Sequence, residues 1–256
     1  MLHSYYFSGS NTTEKIVKAI AADLGMESAL HNLTKNDTKE IQIPVAGDIV
    51  LFAAPVYAGR IPSIAIENFR KIKGEGQKCI AIVVYGNRDY DDALLELCDL
   101  LKESGFEVVA AGAFVARHCI FPKVASTRPD AEDMQKIVLF CDSVKSAIDK
   151  GFTLSINIVK GNRPYKTPGA VPLYPKTDSK KCNSCGTCAR ECPTGAISIE
   201  NPLATDTDKR ITCSRCITVC PANARYFGGL KYKAIAPLFK KKCAARREPE
   251  WFIAEG

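Results

Sequence analysis

Along the first 150 residues, short apolar runs alternate with stretches in which apolar side chains recur every three to four positions. Residues 2–7 form a strand-like run that stops at small and hydroxyl-bearing residues, after which Ile16, Val17 and Ile20 mark one face of a helix. Residues 48–54 (DIVLFAA) are nearly all apolar, the pattern of a parallel strand covered on both faces. That run breaks between Pro55 and Pro62, and a helix follows. Residues 78–84 repeat the pattern and break between Tyr85 and Tyr90. Ala93, Leu94 and Leu97 then open another helix, with Asp91 placed to cap it. Residues 107–115 read as a further strand, and residues 130–149 as a closing helix whose apolar face is Ile137, Val138, Phe140, Cys141, Val144 and Ile148. Five strands alternating with helices predict a doubly wound α/β sheet.

Beyond residue 150 the periodicity is lost. Residues 151–176 contain Pro164, Pro168, Pro172 and Pro175 among glycines and basic residues, which predicts an extended connector stiffened by proline. Residues 177–228 carry two cysteine runs. In the first, Cys182, Cys185, Cys188 and Cys192-Pro193 are spaced C-x2-C-x2-C-x3-C-P, so three thiolates turn inward on one tight loop and the fourth opens a helix. Structural zinc usually draws on two well-separated ligand pairs, so this spacing points to an iron–sulfur cluster. The second run, Cys213, Cys216 and Cys220-Pro221, repeats the spacing without its first ligand, because Arg210 stands three residues before Cys213. A module with so little apolar core draws most of its folding free energy from metal binding. Residues 229–256 read as a basic tail with a helical segment over 231–247 followed by Glu-Trp-Phe-Ile at 250–253. Packing across the cysteine module and docking onto an acidic partner or a membrane surface are both open to it.

The cysteine runs resemble those of the bacterial two-cluster ferredoxins. The resemblance implies a first cluster on Cys182, Cys185, Cys188 and Cys220, and a second on Cys192, Cys213 and Cys216. Three arrangements of the second stay open: a three-iron cluster on three cysteines, a four-iron cluster completed by the distant Cys243, or no second cluster.

Residues Ser8, Gly9, Ser10, Asn11, Thr12 and Thr13 end a strand ahead of a helix and form an anion nest of backbone N–H groups, helix dipole and hydroxyls. Neither the Gly-Lys-Ser/Thr of a Walker loop nor a G-x-G-x-x-G fingerprint is present, and a loop without lysine suits a phosphate monoester. Ser8-Gly9-Ser10-Asn11-Thr12 resembles the first loop of the flavodoxin family, with Ser10 where that family has glycine. By resemblance the ligand is FMN, and its ring lies between Pro55, Tyr57, Ala58 and Gly59 on one loop and Tyr85, Gly86, Asn87 and Tyr90 on the other. Tyr57 would stack on the ring, and Ala58 or Gly59 would offer backbone near the flavin N5. His118 reads as a histidine ending a strand near the cofactor edge. The connector segment Gly161-Asn162-Arg163-Pro164-Tyr165-Lys166 looks like that of flavodoxin–ferredoxin fusion proteins of anaerobes. The resemblance therefore implies a flavodoxin-like doubly wound five-stranded parallel sheet over residues 1–150, a linker over 151–176, a small α+β ferredoxin-like module over 177–228 and a tail over 229–256.

Composition narrows the function. Apolar residues make up 46% and charged residues 25% of the chain, as in soluble globular proteins. No run approaches the ~18 apolar residues of a membrane span, and no signal peptide opens the chain, so a cytoplasmic protein is expected. Seven of the twelve cysteines fall in the two runs, and reduced thiols are the better reading of all twelve. Cys79, Cys98, Cys119 and Cys141 are spaced singly and read as small buried side chains. Residues 1–150 hold 17 Lys+Arg against 20 Asp+Glu, and the remainder 18 against 8, an excess that offsets anionic clusters. No RNA- or DNA-binding motif surrounds the basic residues, so no nucleic-acid partner is expected. The expected function is one-electron transfer between FMN and one or two iron–sulfur clusters, with redox proteins (a ferredoxin, a reductase or a cluster-dependent enzyme) as partners. Two other readings are a flavin-dependent reductase of a quinone or nitro compound fed by the clusters, and a redox-sensing or assembly protein with an empty flavin site. No catalytic acid, base or nucleophile in the sequence announces a reductase.

Overall fold

The computed structural model describes residues 1–35, 42–169 and 171–254. Strands β1 (Leu2–Tyr6), β2 (Ser28–Asn32), β3 (Ile49–Pro55), β4 (Lys78–Tyr85) and β5 (Glu107–Val115) are parallel and lie in the order β2-β1-β3-β4-β5. Strand order reverses between β1 and β3, the switch point at which doubly wound folds of this order open a crevice beyond their carboxyl ends. Strands β1 and β3 are buried throughout, and β4 and β5 at all but their first residues, which is why β3, β4 and β5 read as apolar without alternation; β1 buries the polar His3 and Ser4 as well.

Helices α1 (Thr12–Leu24) and α4 (Ala131–Lys150) cover one face, through Ile16, Val17, Ile20, Ile137, Phe140 and Val144. Helices α2 (Ser63–Phe69) and α3 (Ala93–Glu103) cover the other, through Ala65, Phe69, Leu94 and Leu97. Val138, expected on the buried face of α4, is exposed. Asp91 does not cap α3. The cap position is Asp92, whose carboxylate instead accepts from the backbone N–H groups of Asn162 (2.9 Å) and Lys166 (2.7 Å) and so ties the connector to the first domain. Arg163 on the same connector pairs with Asp99 of α3 at 2.7 Å.

The cysteine module is built from short elements: β6 (Lys176–Thr177) pairs with β7 (Arg225–Tyr226), and α5 (Thr187–Arg190) packs on α6 (Arg215–Thr218). Helix α7 (Leu230–Lys242) then leads back to the first domain. Phe239 stacks on Phe121 at 4.5 Å, Tyr232 stacks on Phe121 at 5.6 Å, and both pack with Ile120, Val124 and Leu173.

The segment expected as a tail is a sixth strand. Strand β8 (Glu250–Ile253) pairs antiparallel with β5, so the sheet has six strands, not five, and its last edge is supplied from the far end of the chain. Two loop side chains hold it there. Buried Asn87 donates to the carbonyls of Cys243 and Ala245 (2.9 Å each) and accepts from the Arg247 N–H (2.9 Å), and the hydroxyl of Tyr90 donates to Glu250 at 2.6 Å. Asn87→Ala strands two carbonyls and one N–H, so it is expected to lower unfolding free energy by about 3 kcal/mol, read as a fall in urea midpoint at constant slope. No helix among the described residues is long and apolar enough to cross a membrane.

Candidate functional site

The loop after β1 is held open from within. Ser8 donates its N–H to Thr34 Oγ1 (2.8 Å), and its hydroxyl accepts the N–H of Glu14 (3.1 Å). Asn11 occupies the cap position of α1 in a left-handed conformation (φ 61°) and makes no side-chain cap. Of the first N–H groups of α1, that of Glu14 is taken by Ser8, while Asn11 caps none of them, which leaves those of Thr12 and Thr13 for an anion. The Thr13 hydroxyl is buried without a partner among the described residues, and the Ser10 and Thr12 hydroxyls lie 3.1 Å apart beside it in sequence. Asn11 Oδ1 instead accepts from Arg215 Nη1 at 3.0 Å, so the cysteine module brings a cation to a loop that lacks one. This donor set fits a phosphate monoester.

The second loop is a two-residue hairpin turn. Tyr57 and Arg60 exchange backbone hydrogen bonds (2.9 and 3.1 Å), and both central residues have positive φ, Ala58 at 53° and Gly59 at 89°. A Cβ on Gly59 would run into the Asp91 carboxylate, so this loop packs against the one that follows β4. The Tyr57 hydroxyl is buried, finds no partner among the described residues and faces Gly9. Burial first, and then the charges of Cys213 and Cys119, push its acidity well out of reach.

In the third loop, a Cβ on Gly86 would fall 2.6 Å from the His118 ring. His118 Nδ1 accepts from the N–H groups of Ile120 (3.1 Å) and Phe121 (3.2 Å). Burial, aided by Arg88, lowers its pKa to about 4, so the ring is neutral near pH 7 with its proton on Nε2.

These loops enclose a cavity of about 180 Å³ at the carboxyl ends of β3, β4 and β5. Ser10, Thr12, Tyr57, Ala58, Tyr85 and Gly86 line it from one side, and Ile211, Thr212 and Phe239 from the other. An adjoining cavity of about 280 Å³ shares Ser10, Thr12, Arg117, Cys119 and Ile120 with it. Together they reach the size of a small-molecule site. Pro55 also lines the first cavity; Ser8, Gly9, Asn11, Thr13 and Gly59 are not in its lining, nor are Asn87 and Tyr90, whose polar atoms are taken up by the returning C-terminal segment. Sequence reasoning missed Arg88, Arg117 and Cys119, although a rule placing ligands beyond strand ends could have flagged the loop after β5. Nothing local could have brought in Arg215 or Phe239.

In the module, Cys188 and Cys216 are buried together with Ala189 and Ile197. Arg225 Nη2 lies 3.8 Å from Cys188 Sγ, the Ala224 N–H donates to Cys220 Sγ at 3.2 Å, and Cys185 Sγ lies 3.4 Å from Thr187 Oγ1. Burial pushes the Cys216 thiol up to about 12; Arg225 opposes the rise, while Cys192 and Cys188 add to it. Cys213 is likewise pushed up to about 12, by burial and then by Cys216, Cys192 and Cys119. Buried thiols of this kind ionise readily only when a metal supplies the opposing charge. Among the described residues no three His, Cys, Asp or Glu side chains are gathered closely enough to hold a single metal ion. Cys182 is half-buried on the first run. Cys243 packs elsewhere, with Ile120, Phe121, Val124 and Leu173, and the charges that act on its thiol are those of Arg88, Lys242 and Arg247, not of any cysteine.

Residues 175–198 match the family model described as a 4Fe-4S binding domain. The chain joins a domain of flavodoxin-like strand order to a module that matches a 4Fe-4S binding domain, called the 4Fe-4S module below. No curated protein matches it. Solved structures similar to it include oxidised Flavodoxin 2 from Bacillus cereus (20% identity, TM-score 0.42, covering 59% of this chain and 99% of that one). A Fusobacterium nucleatum flavodoxin bound to flavin mononucleotide (14%, 0.42, 57% and 95%) and an NADH:FMN oxidoreductase in its apo form (16%, 0.44, 57% and 88%) are also similar. The flavodoxin-like assignment itself stands on the strand order.

The flavodoxin-like domain and the 4Fe-4S module meet at the first loop. A Cβ built on Gly9 would lie 2.5 Å from the Cys213 carbonyl oxygen and 2.8 Å from Cys213 Cβ, so the two backbones are in direct contact there. Around this contact Glu191 of the 4Fe-4S module pairs with Lys35 of the flavodoxin-like domain and with Arg215, whose guanidinium also holds Asn11.

Proposed function

We propose that the chain carries single electrons between a bound FMN and iron–sulfur clusters on Cys182, Cys185, Cys188 and Cys220, and on Cys192, Cys213 and Cys216. One observation supports this reading above the rest: the loop suited to the flavin phosphate touches the backbone of a cluster cysteine. A flavin exchanges electrons singly or in pairs while a cluster passes one, so the pairing converts one kind of traffic into the other. Residues 8–13 would hold the phosphate, with Arg215 offsetting its charge through Asn11. Tyr57, Ala58, Gly59, Tyr85 and Gly86 would frame the ring.

The groups beside the cavity favour a carrier over a reductase of small acceptors. The polar groups beside the cavity are poor proton donors or bases at neutral pH, since His118 has Nδ1 engaged and Tyr57 is held protonated. The basic excess of residues 151–256 suits an acidic redox protein as partner, and the reduced thiols suit the cytoplasm.

Cys185→Ser tests the direction of this reading. The variant is expected to keep its flavin and to lose flavin reduction by an external reduced ferredoxin. Undiminished turnover of a quinone in the variant would support the reductase instead, and failure of the wild-type chain to bind FMN on reconstitution would defeat both.

A further inference from the structure

We propose that Arg225 of the 4Fe-4S module is the countercharge of the first cluster and sets its potential: held 3.8 Å from Cys188 Sγ, its guanidinium makes that centre easier to reduce. The inference rests on the cluster reading above and assigns a role to a residue outside the cysteine motifs.

The two cysteine runs end in the same turn. Gly195 and Asn223, each three residues past the last cysteine of its run, both have positive φ (63° and 48°), and their N–H groups donate back to the Cys192 and Cys220 carbonyls (3.4 and 3.1 Å). The Ala196 and Ala224 carbonyls that follow accept from the N–H groups of Asp206 (2.7 Å) and Asp178 (2.8 Å). The next residue is buried in both repeats, 5% exposed in the first and 3% in the second, yet it is Ile197 in one and Arg225 in the other. The slot accepts an apolar side chain, so packing alone does not call for a cation there.

The surroundings of Arg225 satisfy most of its hydrogen bonds without matching its charge. Nη1 donates to Thr205 Oγ1 (2.6 Å), and Nη2 to the carbonyls of Pro202 (2.6 Å) and Ala204 (3.3 Å) besides the Cys188 sulfur. Buried Nε finds no partner among the described residues, and no carboxylate among them pairs with the guanidinium. Arg215 of the same module, by contrast, has Glu191. A buried guanidinium with no anion beside it is costly, and neutral acceptors do not cancel its charge. One residue earlier, the Ala224 N–H donates to Cys220 Sγ at 3.2 Å. Consecutive residues thus reach two sulfurs of the first cluster, and that cluster with its thiolates is the anion that Arg225 otherwise lacks. A cation and hydrogen-bond donors at the sulfurs favour the more negative, reduced form. Reduction takes one electron from an outside donor and makes or breaks no bond, so the share of Arg225 is electrostatic.

The test uses the full chain, loaded anaerobically with flavin and iron, and a dye-mediated redox titration read by low-temperature magnetic spectra. The first cluster is identified as the signal that Cys185→Ser alters. Arg225→Met is expected to make it at least about tenfold harder to reduce, a fall of about 59 mV for one electron, with the flavin unmoved. Arg225→Lys, which keeps the charge and loses the fork that ties Pro202, Ala204 and Thr205, is expected to stay within about threefold of the wild type. Thr205→Val, which loosens the same tie and leaves the charge, is expected to leave the potential in place. Failure of Arg225→Met to load the first cluster while Arg225→Lys loads it would equally show that the charge is what the cluster requires. A potential unmoved in Arg225→Met, a shift in Arg225→Lys or Thr205→Val as large as in Arg225→Met, or failure of both Arg225 variants to load would mean that Arg225 only ties the loop, and overturns the assignment. A wild-type chain with no cluster on the first run defeats the cluster reading instead.

Discussion

Gly9→Val is expected to slow electron passage between flavin and clusters by about tenfold or more, read on chains in which flavin and iron have been counted as bound. The position is crowded by main chain: a Cβ there would meet the Cys213 carbonyl oxygen at 2.5 Å and Cys213 Cβ at 2.8 Å, with the Tyr57 hydroxyl at 3.1 Å. The Cys213 carbonyl is main chain and cannot swing away as a long side chain can, so the two halves must part by a fraction of an ångström or more. Overpacking of this kind costs about 1–3 kcal/mol, and displacing reacting groups by about 1 Å can cost on the order of a hundredfold in rate. Gly9 is needed for space here, since valine adds three carbons where a Cβ alone already meets these atoms. Rapid mixing of the variant with a one-electron donor, followed at flavin and cluster wavelengths, gives the rate. An unchanged rate would show that the contact between Gly9 and Cys213 lies off the electron's path.

Asp133→Ala is expected to lower unfolding free energy by about 3–5 kcal/mol, the largest stability loss foreseen for a single substitution. Arg128 and Asp133 form an ion pair with side chains only 4% and 1% exposed. Removing the carboxylate leaves a buried guanidinium facing only the more distant Asp130 carboxylate, 3.9 Å away, among the described residues. It also removes the reciprocal half of the capping box at the start of α4, where the Asp133 side chain accepts from the Asp130 N–H at 2.9 Å and Asp130 in turn caps Asp133 at 3.1 Å. Arg128 further donates to the Arg247 carbonyl at 2.8 Å, so the loss spreads to the segment leading into β8. Chemical unfolding of the holoprotein measures it, and a loss below about 1 kcal/mol would mean that the pair is reached by water.

What could be read in the sequence was what short-range rules decide. Strands β3 and β4 announced themselves because burial on both faces demands unbroken apolar runs. The first loop was legible because an anion nest needs only a strand end, small residues and a helix start. Strand β8 was not, since four residues of mixed character carry no period and their partner β5 lies far away in sequence. Asn87 and Tyr90 were misread for a related reason: an amide and an aromatic in a loop serve a cofactor or a returning chain equally well, and only the position of residues 243–250 decides between them.

One measurement bears most directly on the central claim that a flavin and a cluster exchange electrons within one chain. Anaerobic holoprotein is given less than one electron per chain, and the redistribution between flavin absorbance and cluster signal is timed over a range of protein concentrations. Passage through the contact between the two domains predicts that the electron is shared at a rate independent of concentration. A rate that rises in proportion to concentration, or a cluster signal that never exchanges with the flavin, would contradict it.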